Sequence, residues 1–161
     1  MAKKKIFYSF HFDNDVMRVQ QIRNIGVIEG NEPVKPNEWE TLERSGEAAI
    51  QTWIRNNMAN KDCVVVLVGE KTANRKYVKY EIEQAWAKKK GLLGIYIHNI
   101  NCARNGKCSK GTNPFEQYNV NGTPLNNIVK CYDPGSDAYN TISEKIESWI
   151  EEAITIRKKY N

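Results

Sequence analysis

Glu81 is the residue of this 161-residue chain best placed to do chemistry. It stands in KYVKYEIEQAW, shortly after the apolar run VVVLV at 64–68 and Gly69. At about 100° per residue, Val78, Ile82, Ala85 and Trp86 share one helical arc, and Glu83 and Lys79 fall opposite. Glu81 lies on the shoulder of the apolar arc, so its carboxylate can be half buried and aimed into a cleft. Spacing alone leaves a second role open, an ordinary boundary glutamate paired with Lys88 or Arg75. Such ion pairs are the commoner fate of a carboxylate with a perturbed setting.

A second set of ligating atoms comes from His98, Cys102, Cys108 and Cys131. Zinc sites bring paired ligands at tight spacing, and these are irregular, with no CxxC pair. Cys63 directly precedes the apolar run. A disulfide framework does not suit a cytosolic chain of this size.

Several chemistries are excluded outright. There is no GxxxxGK[ST] run for a phosphate loop and no GxGxxG after the first strand. A GxSxG elbow is also absent. Asp13 and Asp15 could imitate the acidic pair of a receiver domain. The strand that should carry the phosphate-accepting aspartate ends instead in Val68-Gly69.

The elements that must position Glu81 follow from periodicity. Four valines among residues 64–68 suit a central, doubly covered parallel strand. Gly69 ends it, and Asn74 is placed to cap the next helix. A first strand is expected at 5–10, a short helix at 16–24 and a loop at 26–37. A long helix from residue 38 to about 57 carries the stripe Leu42, Gly46, Ala49, Ile50, Trp53 and Ile54. Further strands are expected at 94–98 and 127–132, separated by an aperiodic loop at 99–123. Ser136 or Asp137 caps a final helix with Ile142, Ile146, Trp149, Ile150, Ala153 and Ile154 on one face. The order implies an α/β flavodoxin-like three-layer sandwich with a central parallel sheet. One strand is missing from that count, and 26–37 has room for it.

Composition fits one domain over residues 1–161, with 40% hydrophobic and 27% charged residues. No apolar run reaches the ~20 residues of a membrane span. The lysine-flanked apolar start is too short for a signal-peptide core. A cytoplasmic protein away from membranes is therefore expected. The net charge of +5 is spread over lysine and arginine clusters at helix ends, where the dipole favours cations. These read as solvated helix ends, and no nucleic-acid motif accompanies them.

The segments IFYSFHF, NEWE, VVVLVG, NRKYVKYEI and SKGTNPF, in that order, resemble the TIR-like proteins of bacterial Thoeris anti-phage defence, the ThsB group. The resemblance spans most of the chain. It implies a TIR-like fold, consumption of NAD+ as substrate with no further cofactor, and production of a cyclic ADP-ribose isomer. That product would signal to a separate effector protein, under a phage-derived trigger. Glu81, in YVKYE, matches the family's catalytic glutamate, and Tyr77 stands where some relatives have tryptophan. A non-catalytic TIR-like interaction module, with self-association into homo-oligomers, is the alternative the resemblance implies.

With NAD+ in view, Ser9, Phe10 and His11 are candidates for the substrate-binding wall at the end of the first strand. Their ordinary roles would be strand-end packing and backbone hydrogen bonding. Trp39 either closes the pocket or staples the following helix. Arg75 is placed to meet the pyrophosphate, and Tyr77 to flank the site. The 110–115 loop is a candidate lid, or a structural turn around Pro114. No metal is expected.

Overall fold

The computed structural model describes residues 5–10, 18, 21–22, 29–30, 44–100 and 109–160. Short continuous apolar runs, ended by glycine and polar turns, form among the described residues a parallel five-stranded sheet. Its strands are β1 (Lys5–Ser9), β2 (Glu29–Gly30), β3 (Cys63–Val68), β4 (Gly91–Tyr96) and β7 (Cys131–Tyr132). A small antiparallel pair, β5 (Asn119–Val120) and β6 (Thr123–Pro124), stands apart from it. The spatial order β2-β1-β3-β4-β7 is the flavodoxin-like order. β2 supplies the missing strand within the 26–37 segment.

Every residue of β3 and β4 is buried, as a central parallel strand requires. The two sides of the sheet hold separate cores. On one side Ile6, Tyr8, Val65, Leu67 and Ile95 meet α3 (Ala138–Lys158) through Ile142, Ile146, Ile150 and Ala153. On the other, Phe7, Val64, Val66 and Leu92 meet α1 (Glu47–Met58) and α2 (Lys76–Ala87).

Several boundaries differ from expectation. Gly46 is no part of a core stripe. It adopts φ 95°, a left-handed conformation that glycine adopts freely, and α1 begins directly after it. Asn74 does not cap α2: Arg75 holds that position without a side-chain cap. Thr72 organises the turn instead, accepting from the Gly69 amide at 2.8 Å while its carbonyl accepts from the Arg75 amide at 3.1 Å. Asp137 occupies the α3 cap position, but its carboxylate accepts from Asn140 Nδ2 rather than from a backbone amide. β4 starts three residues earlier than expected because its register pairs Gly91 with Cys63, and a Cβ on Gly91 would lie 2.8 Å from Ile154 Cγ1. The last sheet strand shrinks to two residues, since Leu125–Asn127 turn as a 3-10 helix.

The basic helix ends are not all solvated. Arg157 is buried; its guanidinium lies 4.2 Å from the Trp86 ring centroid and donates to the Trp86 carbonyl at 2.9 Å. That contact ties the last turn of α3 to the end of α2. Lys90 Nζ donates to the Ala59 carbonyl at the end of α1.

The segment expected to be an aperiodic loop is folded over residues 109–123. Asn113 accepts from the Phe115 amide and starts a 3-10 helix, Pro114–Gln117. Asn121 and Gly122, both with positive φ, close the β5–β6 hairpin. Phe115 is fully buried and, with Cys131, takes up the space a side chain on Gly94 would need, the Cys131 Sγ and Phe115 ring lying 2.7 and 3.1 Å from its notional Cβ. Truncating Phe115 to alanine is expected to cost about 3–5 kcal/mol in urea unfolding, the range for an aromatic cavity in a core.

Candidate functional site

The carboxyl ends of parallel strands, where the strand order reverses, are the usual ligand site of this architecture. Here the reversal falls between β1 and β3. Residues on a strand alternate faces, so Ser9 shares the face of Phe7, the side covered by α1 and α2. Ser9 ends β1 and pairs in register with Val66 of β3. Glu81 comes down from the second turn of α2 to meet it. The Ser9 hydroxyl donates to Glu81 Oε1 at 2.7 Å.

Both partners are out of water, Ser9 at 0% and Glu81 at 7% exposure. Glu81 is thus buried rather than half buried. The expected pairing with Lys88 or Arg75 is not formed: both are exposed at opposite ends of α2, and among the described residues no cation pairs with Glu81. Burial, with no counter-charge among the described residues, disfavours the ionised carboxylate and pushes Glu81 from its ordinary value of 4.5 up to about 8. The Ser9 hydrogen bond opposes that rise in part. A neutral carboxylic acid therefore waits at the switch point in neutral solution.

The other expected site residues are scattered. Phe10 packs, partly buried, against the α3-side core, the face opposite Ser9. Arg75 is exposed at the start of α2. Tyr77 is partly buried one turn before Glu81, with Lys76 Nζ 5.9 Å from its ring centroid. His11 and Trp39 lie outside the described residues, as do Cys102 and Cys108. Cys63 is buried and its thiol is pushed up mainly by that burial. Among the described residues no three His, Cys, Asp or Glu side chains gather as a metal site.

The 110–115 loop is part of a strap, residues 109–123, that packs against the β3–α2 turn. Gly111 lies so close to the β3–α2 turn that a Cβ on it would stand 2.1 Å from the Gly69 carbonyl oxygen, a contact only glycine allows. Gln117 Nε2 donates to the Ala73 carbonyl at 2.9 Å, and the Tyr118 hydroxyl to the Lys79 carbonyl at 3.3 Å. Lys110 pairs with Asp133 at 3.1 Å and lies over the Tyr96 ring. The strap fixes the turn and first turns of the helix that carry Glu81. Sequence reasoning passed over Thr72, Gln117 and Tyr118, which bond to backbone carbonyls or amides and follow no chemical motif.

The pattern described as "Thoeris protein ThsB, TIR-like domain" matches residues 7–101. This chain belongs to the ThsB TIR-like family. The matched window holds the end of β1 and all of β3, α2 and β4, and with them both Ser9 and Glu81; the strap and α3 lie beyond it. A relative from Bacillus cereus (strain MSX-D12), named "Putative cyclic ADP-D-ribose synthase ThsB1", is 30% identical over 131 residues. The alignment covers 76% of this chain and 68% of that protein.

Burial of Glu81 has a thermodynamic signature. Between pH 4.5 and about 8 the unfolded chain releases the Glu81 proton while the folded protein keeps it. The protein's stability from this group is thus complete below pH 4.5 and lost as pH rises through about 8, at up to about 1.4 kcal/mol per pH unit. Melting temperatures followed from pH 5 to 8.5 should fall more steeply for wild type than for Glu81→Gln. Parallel curves would show that the carboxyl is not buried as a neutral acid.

Proposed function

We propose that this protein consumes NAD+, breaking the nicotinamide–ribose bond and closing the remainder into a cyclic ADP-ribose isomer. The observation that carries this reading is Glu81, a buried carboxyl at the switch point of the sheet with no counter-cation among the described residues. Membership of the ThsB family and the cyclic ADP-D-ribose synthase name of the B. cereus relative support the same chemistry.

When the bond from ribose C1′ to the nicotinamide nitrogen breaks, its electron pair goes to that nitrogen. The pyridinium becomes neutral nicotinamide and positive charge develops on the ribose ring, as in glycoside hydrolysis. The leaving group needs no proton, so one carboxylate suffices. Glu81, ionised, stabilises the ribosyl cation in surroundings that screen charge poorly. An atom of the adenosine half, folded back toward C1′, then forms the bond that water forms in simple hydrolysis, and a proton it carried passes to the Glu81 carboxylate. That step asks for positioning and exclusion of water rather than further acid–base groups.

In this reading NAD+ is substrate and no additional cofactor takes part. The cyclic product is released in the cytoplasm to a separate effector of anti-phage defence. A phage-derived cue starts production, and self-association accompanies it.

Glu81→Gln should keep the fold and lower NAD+ consumption by about 10²-fold or more. Mass spectrometry of nicotinamide and cyclic products from phage-challenged cells expressing each form checks this. Equal product from both would remove Glu81 from catalysis and favour a non-catalytic interaction module. The ionised carboxylate is the working form, so kcat/KM should climb with pH and level off above about 8. A profile already flat from pH 6 would contradict it.

A further inference from the structure

We infer that Ser9 is a positioning residue, which holds Glu81 in its ionised, cation-accepting form while substrate is in place, rather than a substrate ligand. Its meaning for catalysis rests on the reading of Glu81 given above. Its contact with Glu81 does not.

Three observations carry it. The hydroxyl is already committed: it donates to Glu81 Oε1 at 2.7 Å, with no exposed surface left to meet a ligand. Its place is fixed by the sheet, since Ser9 is the last residue of β1 and lies in register with Val66. And it is the one polar group among the described residues that favours the carboxylate.

Among the described residues, the surroundings of Glu81 offer no substitute. β3 faces α2 with Val64, Val66 and Val68, and β4 with Leu92 and Tyr96. From α1, Arg55 donates to the Tyr80 hydroxyl and Glu47 pairs with Lys76. From the strap, Gln117 and Tyr118 reach backbone carbonyls, and Glu116 is exposed. On α2 itself Glu83 is exposed, and no charged group among the described residues alters the Glu81 carboxyl. A hydroxyl that donates to a carboxylate stabilises the charged form relative to the acid. The pyridinium of NAD+ would add the missing positive charge, and Ser9 keeps the oxygen oriented through the change.

The test is the titration of Glu81 itself, in wild type, Ser9→Ala and Ser9→Thr. Protein labelled with 13C-glutamate gives a carboxyl signal, assigned by its disappearance in Glu81→Gln. The midpoint in Ser9→Ala should move up by about half a unit to one unit, the worth of one hydrogen bond. Ser9→Thr, which keeps the hydroxyl, should stay near wild type. Equal midpoints in all three, or a threonine variant shifted as far as alanine, overturn the inference. With NAD+ at pH 7, kcat of Ser9→Ala should fall about three- to tenfold and recover as pH rises, with KM unchanged. A raised KM at every pH would instead make Ser9 a substrate contact. No turnover by wild type, with the midpoint shift intact, counts against the proposed reaction and not against Ser9.

Discussion

Carrying a carboxyl group out of water, with a serine hydroxyl and no counter-ion among the described residues to meet it, is the constraint around which the rest of this structure is arranged. The Ser9–Glu81 contact joins the first strand to the helix after the central strand. Those two elements are 72 residues apart in sequence, so the contact forms only when the sheet is correctly ordered. An unpaired buried charge costs several kcal/mol, and the group avoids that by keeping its proton. Stability and reactivity therefore pull in opposite directions. The fold is happiest with the acid neutral, and the chemistry asks for the anion.

Such a group is useful only if its supporting shell does not yield. α2 is held at its start by the Thr72 turn and the strap, and at its end by Arg157 against Trp86. α1 adds the Arg55–Tyr80 hydrogen bond along its side. The exposed pair between Glu47 and Lys76 at 2.8 Å contributes little by comparison, being screened by solvent. The apolar bed of Val64, Val66 and Val68 keeps water from beneath the helix. These restraints end on backbone carbonyls and amides, on the Tyr80 hydroxyl and on the Trp86 ring, and not on the Glu81 carboxyl.

Much of this was legible in the sequence. The valine run announced the central strand, and the helical arc singled out Glu81 without reference to any relative. The absent strand could be located by counting. Burial depth was harder to read: a shoulder position at helical spacing permits a half-exposed glutamate, and the neighbours that close over it come from distant parts of the chain. The partner of Ser9 was within reach, since alternation from Phe7 puts Ser9 on the α2 face and Phe10 on the other. The 109–123 segment misled because periodicity measures amphipathic elements. Its order comes from local turn chemistry, where Asn113 caps a turn and Asn121-Gly122 makes a hairpin. Arg157 misled likewise, because a cation at a helix end is ordinarily solvated, and its aromatic platform lies 71 residues earlier.

The strap lies wholly outside the stretch that identifies the family, residues 7–101. Phe115 nonetheless fills the hollow above Gly94, and Gly111 leans on the oxygen of Gly69. A chain ended at the family boundary would keep both members of the Ser9–Glu81 pair yet strip the apolar roof from β4 and unbolt the hinge of the helix that presents the acid. Excising the domain by its signature would thus yield a site without its foundation.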